Sequence, residues 1–228
     1  MRLSVIIPTL NEAARIGTRL DELATMPGIE EVIVVDGGSG DDTVGIASAH
    51  RGVRVLSAPP GRASQQNAGA AAASGDALLF LHADVSLPVG AARHVARALE
   101  GRTVVAGAFR TWTVPDDRPS RLAPLLHLAD LRSRYSGLPY GDQAIFVRAE
   151  AFHAAGGFPD LPLMEDLELS RRLRRIGRIR VVAASVRVSG RRFLARPIFY
   201  FLAVNLFPAL HALGVSPATL RRLYGDPR

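Results

Sequence analysis

The chain contains no cysteine and no lysine among its 228 residues. Without cysteine there are no disulfides, no zinc–thiolate sites and no thiol nucleophile, a composition that fits a reducing compartment. Without lysine there is no Schiff base and no P-loop lysine. Three familiar signatures are also missing. Gly37-Gly38-Ser39-Gly40 lacks the G-x-G-x-x-G spacing of dinucleotide folds, and neither a Walker A sequence nor a G-x-S-x-G elbow occurs. Long apolar runs are scarce. Leu3 to Ile7 is too short for the core of a signal peptide, and Asn11-Glu12 follow at once. Pro197 to Leu213 is the most apolar later stretch, but it holds Asn205, Pro208 and His211. It falls short of the roughly 20 residues that span a bilayer. No repeat, low-complexity segment or long linker marks a second independent domain.

The 28 basic residues are all arginine and face 21 acidic ones, a net charge of +7. That balance favours anionic partners: nucleotides, nucleic acid or an acidic membrane surface. A hydrophobic content of 48% supports a real core. The length suits one large α/β domain or two small ones.

The first half alternates regularly. Leu3–Ile7, Glu31–Asp36, Val53–Leu56 and Ala77–Asp84 read as buried strands, separated by helices over Ala13–Ala24, Thr43–His50 and Arg62–Ser74. Thr9 and Asn11 are turn or N-cap candidates. This order predicts a mostly parallel sheet with helices on both faces. The strand ends at Pro8, Asp36 and Asp84 should open onto one rim, where such sheets bind ligands. The second half is less regular. Helices are predicted over Pro88–Leu99, Leu125–Arg134 and Leu167–Ile176, and a loop at Asp116–Pro119. Val104–Trp112, Gly141–Val147 and Ile179–Val188 read as extended, and 194–213 and 217–224 as two terminal helices.

The sharpest chemical signal is Leu81-His82-Ala83-Asp84. On a strand, residues two apart share a side, so His82 and Asp84 should project together and could ligate a divalent metal that holds a diphosphate. The competing reading makes Asp84 a turn cap and His82 a core histidine. Asp36, before a glycine loop, could accept hydrogen bonds from a base or ribose, or be a turn aspartate. Arg62 begins a helix, where guanidinium and helix amides together bind anions; the alternative is a surface arginine. Glu165-Asp166 is an acidic pair at a helix start, open to reading as acid/base machinery or as a cap.

Taken in order, Ser4–Glu12, Val34–Ser39, Gly61-Arg62-Ala63 with Asn67-Ala68-Gly69, Leu81–Asp84, Gly156–Phe158 and Glu165–Leu167 resemble a family 2 glycosyltransferase of the GT-A fold. Leu81–Asp84 and Gly141-Asp142-Gln143 further resemble the small radical-SAM/selenodomain-associated, arsenosugar-biosynthesis-type subgroup. The resemblance implies a GT-A domain over 1–190 with residues 191–228 as its C-terminal helical extension. It also implies a nucleotide-sugar donor, most simply a UDP-sugar, and a divalent metal, Mn²⁺ or Mg²⁺. Pro8, Thr9, Asn11 and Glu12 match the segment lining the nucleotide site. Asp36 matches the base-binding aspartate and Arg62 a nucleotide contact. Asp84 matches the last acid of the metal-binding D-x-D motif, with His82 in place of the first. Asp166 matches the general base, with Glu165 beside it. Gly37 stands where the family commonly has a second Asp. No Gln/Arg-x-x-Arg-Trp motif is present near Ser189–Phe193, so processive polysaccharide synthesis is not expected.

The resulting expectation is a cytoplasmic, metal-dependent inverting glycosyltransferase acting on a small-molecule or lipid acceptor, with no nucleic-acid partner. The rivals are a nucleotidyltransferase making sugar nucleotides and a non-catalytic basic module for membranes or nucleic acid. Residues 196–213 are open to three readings: a peripheral contact on the inner face of the membrane, core packing, or a homodimer contact.

Overall fold

The computed structural model describes residues 1–115, 127, 130, 131, 133 and 137–225. Four strands, β1 (Leu3–Thr9), β2 (Glu31–Asp36), β3 (Val53–Ser57) and β4 (Ala77–Phe80), run parallel in the order β3-β2-β1-β4. They are joined by α1 (Ala13–Ala24), α2 (Thr43–Ala49) and α3 (Arg62–Ala72). The central strands are nearly continuous apolar runs because helices cover both faces. Alternate residues feed two cores. Val5, Ile7, Val34 and Leu79 pack with Ile16, Leu20 and Leu23 of α1 and with α4 (Ala91–Ala98). Ile6, Ile33, Val35 and Phe80 pack on the other face with Ala63 and Ala70 of α3. There they also meet α5 (Ala149–Ala154) and α6 (Glu165–Ile176).

The sheet then turns mixed. β7 (Phe146–Arg148) lies antiparallel between β4 and β6 (Val104–Val114). β6 pairs in parallel with β8 (Arg178–Ser189), with two register irregularities, and β5 (Val85–Ser86) closes the far edge antiparallel to β8. The long β6–β8 pair brings its end back toward β4: the Ser189 N–H donates to the Asp84 carbonyl at 3.2 Å. Three helices follow, α7 (Arg191–Ala195), α8 (Pro197–Ala212) and α9 (Pro217–Tyr224). Ala203, Phe207 and Leu220 of α8 and α9 form a third core with Leu163, just ahead of α6.

The parallel half matches the sequence reading closely. Elsewhere the structure corrects it. The strand expected through Asp84 stops at Phe80, and His82 to Val85 form a turn closed by the Val85 N–H on the His82 carbonyl (3.0 Å). Gly141–Gln143 is a 3-10 turn rather than strand, ended by Ala144 at φ 46°. The helix expected over 194–213 breaks at Arg196 because Pro197 restricts the residue before it and restarts the helix as its first residue. Thr9 and Asn11 do not cap α1. The amides at its start are met from the beginning of α2 and the loop before it, the Glu12 N–H by the Thr43 hydroxyl and the Ala13 N–H by Asp41. The loop expected at 116–119 lies outside the described residues. Of the helix expected over 125–134, residues 127, 130, 131 and 133 are described, and all four are helical.

Gly69 sets how closely α3 lies on the sheet. A Cβ there would stand 2.4 Å from Ile6 Cγ2 and 3.0 Å from Val35 Cγ2. Gly69→Ala would gain about 1 kcal/mol of helix propensity against an overpacking cost of about 1–3 kcal/mol. A net loss of stability is therefore expected in urea unfolding. A midpoint equal to or above wild type would show that the helix does not sit this close.

Candidate active site

Between β1 and β4 the strand order changes direction, the point at which open α/β sheets bind ligands beyond their carboxyl ends. A cleft of about 270 Å³ lies there. β1 and the turn after it supply Pro8, Thr9, Leu10 and Glu12, and the turn after β4 supplies His82, Ala83 and Asp84. Arg62 enters from the first position of α3, and Glu165 and Asp166 from the first turn of α6. Tyr200, Phe207 and Tyr224 of the terminal helices form an opposing wall.

The charged groups converge on Arg62. Its Nη1 stands 3.6 Å from Glu165 Oε1, and the Glu165 side chain is only 5% exposed. Burial pushes the Glu165 carboxyl up to about 7; Arg62 opposes the shift and Asp166 adds to it. Burial works against the charge on Arg62, but Glu165, Asp166, Tyr224 and Asp84 outweigh it and hold the guanidinium above its ordinary value.

Asp166 is fixed on both oxygens. Oδ2 accepts the Gly141 N–H at 2.6 Å, and Oδ1 accepts the N–H of Leu167 at 2.7 Å. Each oxygen keeps a further lone pair for a ligand. Gly141 also joins the two halves of the site. A Cβ there would lie 3.1 Å from His82 Cε1 and 3.3 Å from Asp166 Oδ2. The turn that carries Gly141 is held by Gln143, whose amide donates to the Phe109 carbonyl at 2.9 Å, and by the Ser170 hydroxyl, which donates to the Pro139 carbonyl at 2.8 Å.

Eight of the ten residues singled out in the sequence line this cleft: Pro8, Thr9, Glu12, Arg62, His82, Asp84, Glu165 and Asp166. Asn11 and Asp36 stand beside it and organise the glycine loop. Asn11 Oδ1 accepts the Gly40 N–H at 2.8 Å. Asp36 is buried, and its Oδ2 accepts the N–H groups of Gly38 and Ser39 at 2.8 and 2.9 Å. Gly37 leaves room for Gln65, whose amide carbon would lie 3.0 Å from a Cβ at that position. The Gln65 amide ties the Thr9 and Val35 carbonyls together at 2.7 and 2.8 Å.

Sequence reasoning missed two contributors. Arg19 is buried below the Asp84 turn, donating to the Ser86 hydroxyl at 2.7 Å and pairing with Glu22. Its signal was available: an arginine three residues after Ile16, on the core-facing side of an amphipathic helix. The wall of Tyr200, Phe207 and Tyr224 left none, because aromatic residues in an apolar helix read as packing.

Two side chains with metal-binding chemistry, His82 and Asp84, line the cleft together. Among the described residues, no three His, Asp or Glu side chains are grouped to hold a cation by themselves. A Mg²⁺- or Mn²⁺-type site needs no such cage where one carboxylate and substrate phosphates complete the shell. The donor set therefore fits a cation bound together with a diphosphate.

A mostly parallel, doubly covered sheet with an acidic cleft at its switch point is the GT-A type of α/β fold. The chain belongs to glycosyl transferase family 2, whose family model matches residues 4–155. A PGL/p-HBAD biosynthesis glycosyltransferase of Mycobacterium bovis is 42% identical over 91 residues, 37% of this chain and 36% of the relative. The match thus spans about a third of that relative's length. Among solved structures, S. aureus TarS 1–349 superposes with a TM-score of 0.67 at 21% identity, over 90% of this chain and 66% of TarS 1–349. The mannosyltransferase PcManGT from Pyrobaculum calidifontis, in complex with GDP-Man and Mn²⁺, gives 0.66 at 22% identity, over 97% of this chain and 67% of its own. At these identities the likeness establishes the fold.

The Glu165 carboxyl gives a pH signature. Its folded pKa of about 7 lies above the unfolded 4.5, so between these values the native state binds more protons than the unfolded one. Stability should fall as pH rises from about 4.5 to 7 and level off above. Glu165→Gln removes the titrating group. The melting temperature of wild type relative to the variant should therefore decline across that window, and parallel profiles would refute the assignment.

Proposed function

We propose that this protein is a metal-dependent, inverting glycosyltransferase that moves a sugar from a nucleotide-sugar donor, a UDP-sugar in the simplest reading, to an acceptor hydroxyl. The observation that carries the reading is the convergence of Arg62, Asp84 and Asp166 in one cleft at the switch point of the sheet. TarS has been solved with UDP-GlcNAc and PcManGT with GDP-Man and Mn²⁺, which supports this donor class and a divalent cation. Leu81–Asp84 and Gly141–Gln143 are the residues that support the finer arsenosugar-type subgroup. Family membership weighs against both a nucleotidyltransferase and a non-catalytic module.

In this reading Pro8, Thr9 and Glu12 border the nucleotide, and Arg62 meets the diphosphate. Asp84, with His82 beside it, would hold the cation, whose chemistry is to neutralise charge on the departing diphosphate. Asp166, oriented by Gly141 and Leu167, takes the proton of the acceptor hydroxyl. The acceptor oxygen forms a bond to the anomeric carbon from the face opposite the leaving group. The bond from that carbon to the diphosphate oxygen breaks, and the nucleoside diphosphate departs with the electron pair. Glu165 holds Arg62 in place and takes no proton from the acceptor.

A thermal-shift screen tests the donor class, since a ligand that binds only the native state raises its melting temperature. A shift with a UDP-sugar that requires Mn²⁺ or Mg²⁺ is expected; no shift with any nucleotide sugar would overturn the reading. Asp166→Asn should lower turnover by about 10²–10⁴-fold, the range of general base catalysis, with donor affinity retained. Unchanged turnover would remove Asp166 from the chemistry. Asp84→Ala should abolish the metal dependence of nucleotide binding, and a wild-type metal response in that variant would displace the cation from Asp84.

A further inference from the structure

Helix α8 has two sides with different surroundings. At 100° per residue, Tyr200, Ala203, Val204 and Phe207 fall on one side, and all four line the cleft. Ile198, Leu202, Leu206 and Leu213, just past the helix end, fall on the other and are 76%, 47%, 50% and 83% exposed. The polar residue among them, Asn205, turns its amide back onto the Phe201 carbonyl at 2.7 Å. A helix that is apolar all round is normally buried all round, yet the described residues cover only one side of this one. An exposed apolar patch of this kind marks an interaction surface.

Charge identifies the partner. Residues 191–225 contain five arginines and no aspartate or glutamate. Arg196 at the start of α8 and Arg222 in α9 are exposed, and Leu223 beside Arg222 is 59% exposed. An apolar face whose helices carry the exposed Arg196 and Arg222 complements an anionic bilayer, with leucines in the acyl boundary and guanidinium groups among the headgroups. Among the described residues no helix is long and apolar enough to cross a membrane, so the fitting mode is one of lying on the surface.

We propose that α8 docks the protein on an anionic membrane, with its outward side in the lipid interface and its inward side walling the cleft. This rests on the glycosyltransferase reading only for its consequence: one helix touches both lipid and cleft, so the acceptor is a hydroxyl carried on a membrane lipid.

Co-sedimentation of the full chain with vesicles tests the docking. Binding to equimolar phosphatidylcholine–phosphatidylglycerol vesicles is expected, with none to phosphatidylcholine alone. The Ile198→Glu/Leu202→Glu variant should partition at least about tenfold more weakly per replaced side chain, with wild-type circular dichroism and melting temperature. Failure of wild type to bind anionic vesicles, or equal binding by the variant, would overturn the proposal. So would a wild-type dimer in light scattering that the variant converts to monomer, because a second copy would then cover this face. The nucleotide thermal shift is read separately: its loss with vesicle binding intact would fell the enzymatic reading and leave the docking standing.

Discussion

The cleft is organised around one contact, Arg62 against the buried Glu165 carboxyl. Arg62 is the first residue of α3, which packs on the parallel half of the sheet, and Glu165 is the first residue of α6, which packs on the mixed half. The pair therefore joins the two halves at the rim where they meet. Both helices start from special backbone: Gly61 at φ 146° precedes Arg62, and Met164 at φ 70° precedes Glu165. Only glycine adopts the first conformation without cost, and the second is strained for methionine. Two helix N-termini, each the positive end of a dipole, are thus aimed into one cleft. Glu165 and Asp166 stand at that end of α6 with Arg62 across the gap, and burial still holds the Glu165 carboxyl above its ordinary value.

The parallel half was legible because its strands are covered on both faces and its helices on one. Such elements write long apolar runs and a 3.6-residue period directly into the sequence. The same simplicity exposed Pro8, Glu12, Arg62 and Asp84, because polar residues stand out at the end of an apolar strand or the start of an Ala-rich helix. Glu165-Asp166 was legible for a similar reason, as an acidic pair before a periodic helix. The placement of His82 and Asp84 in one cleft was foreseen, but from the wrong local geometry. A turn after Phe80, not strand alternation, brings them there, and a turn without glycine or proline between those residues carries little local signal.

What remained hidden depends on long-range contacts. Gly141 looks like the start of a strand. Its role comes from Gln143 reaching Phe109 and Ser170 reaching Pro139, contacts made across more than 30 residues of chain. The caps of α1 come from Asp41 and Thr43, 28 and 31 residues on from the amides they meet, where local rules point to Thr9 and Asn11. Gly37 reads as a missing carboxylate in the sequence; in the fold it is the space that admits Gln65, which clamps the ends of β1 and β2. The terminal helices are the extreme case. Their apolar residues carry two opposite meanings, cleft wall and exposed face, and only the position of α8 against Leu163 separates them.

Charge is distributed against the average of the chain. The protein carries a net +7, yet among the described residues lining the cleft five carboxylates, Glu12, Asp84, Asp142, Glu165 and Asp166, face a single arginine. A low-dielectric cleft strengthens each of these interactions relative to water, so the excess of acid acts as a filter. A neutral hydroxyl enters without electrostatic penalty and finds lone pairs to accept its proton. A cation offsets, in the proposed reaction, the charge that a diphosphate brings to this acidic cleft, where Arg62 is already shared among Glu165, Asp166 and Asp84. In the proposed reaction the two substrates are thereby told apart by charge. The cation belongs with the donor, and the bare carboxylate of Asp166 with the acceptor. Other arginines reach these acids from beyond the lining: Arg191 stands 3.8 Å and Arg15 3.9 Å from Glu12, and Arg221 opposes the rise of the Glu165 carboxyl, while Arg196 and Arg222 are exposed.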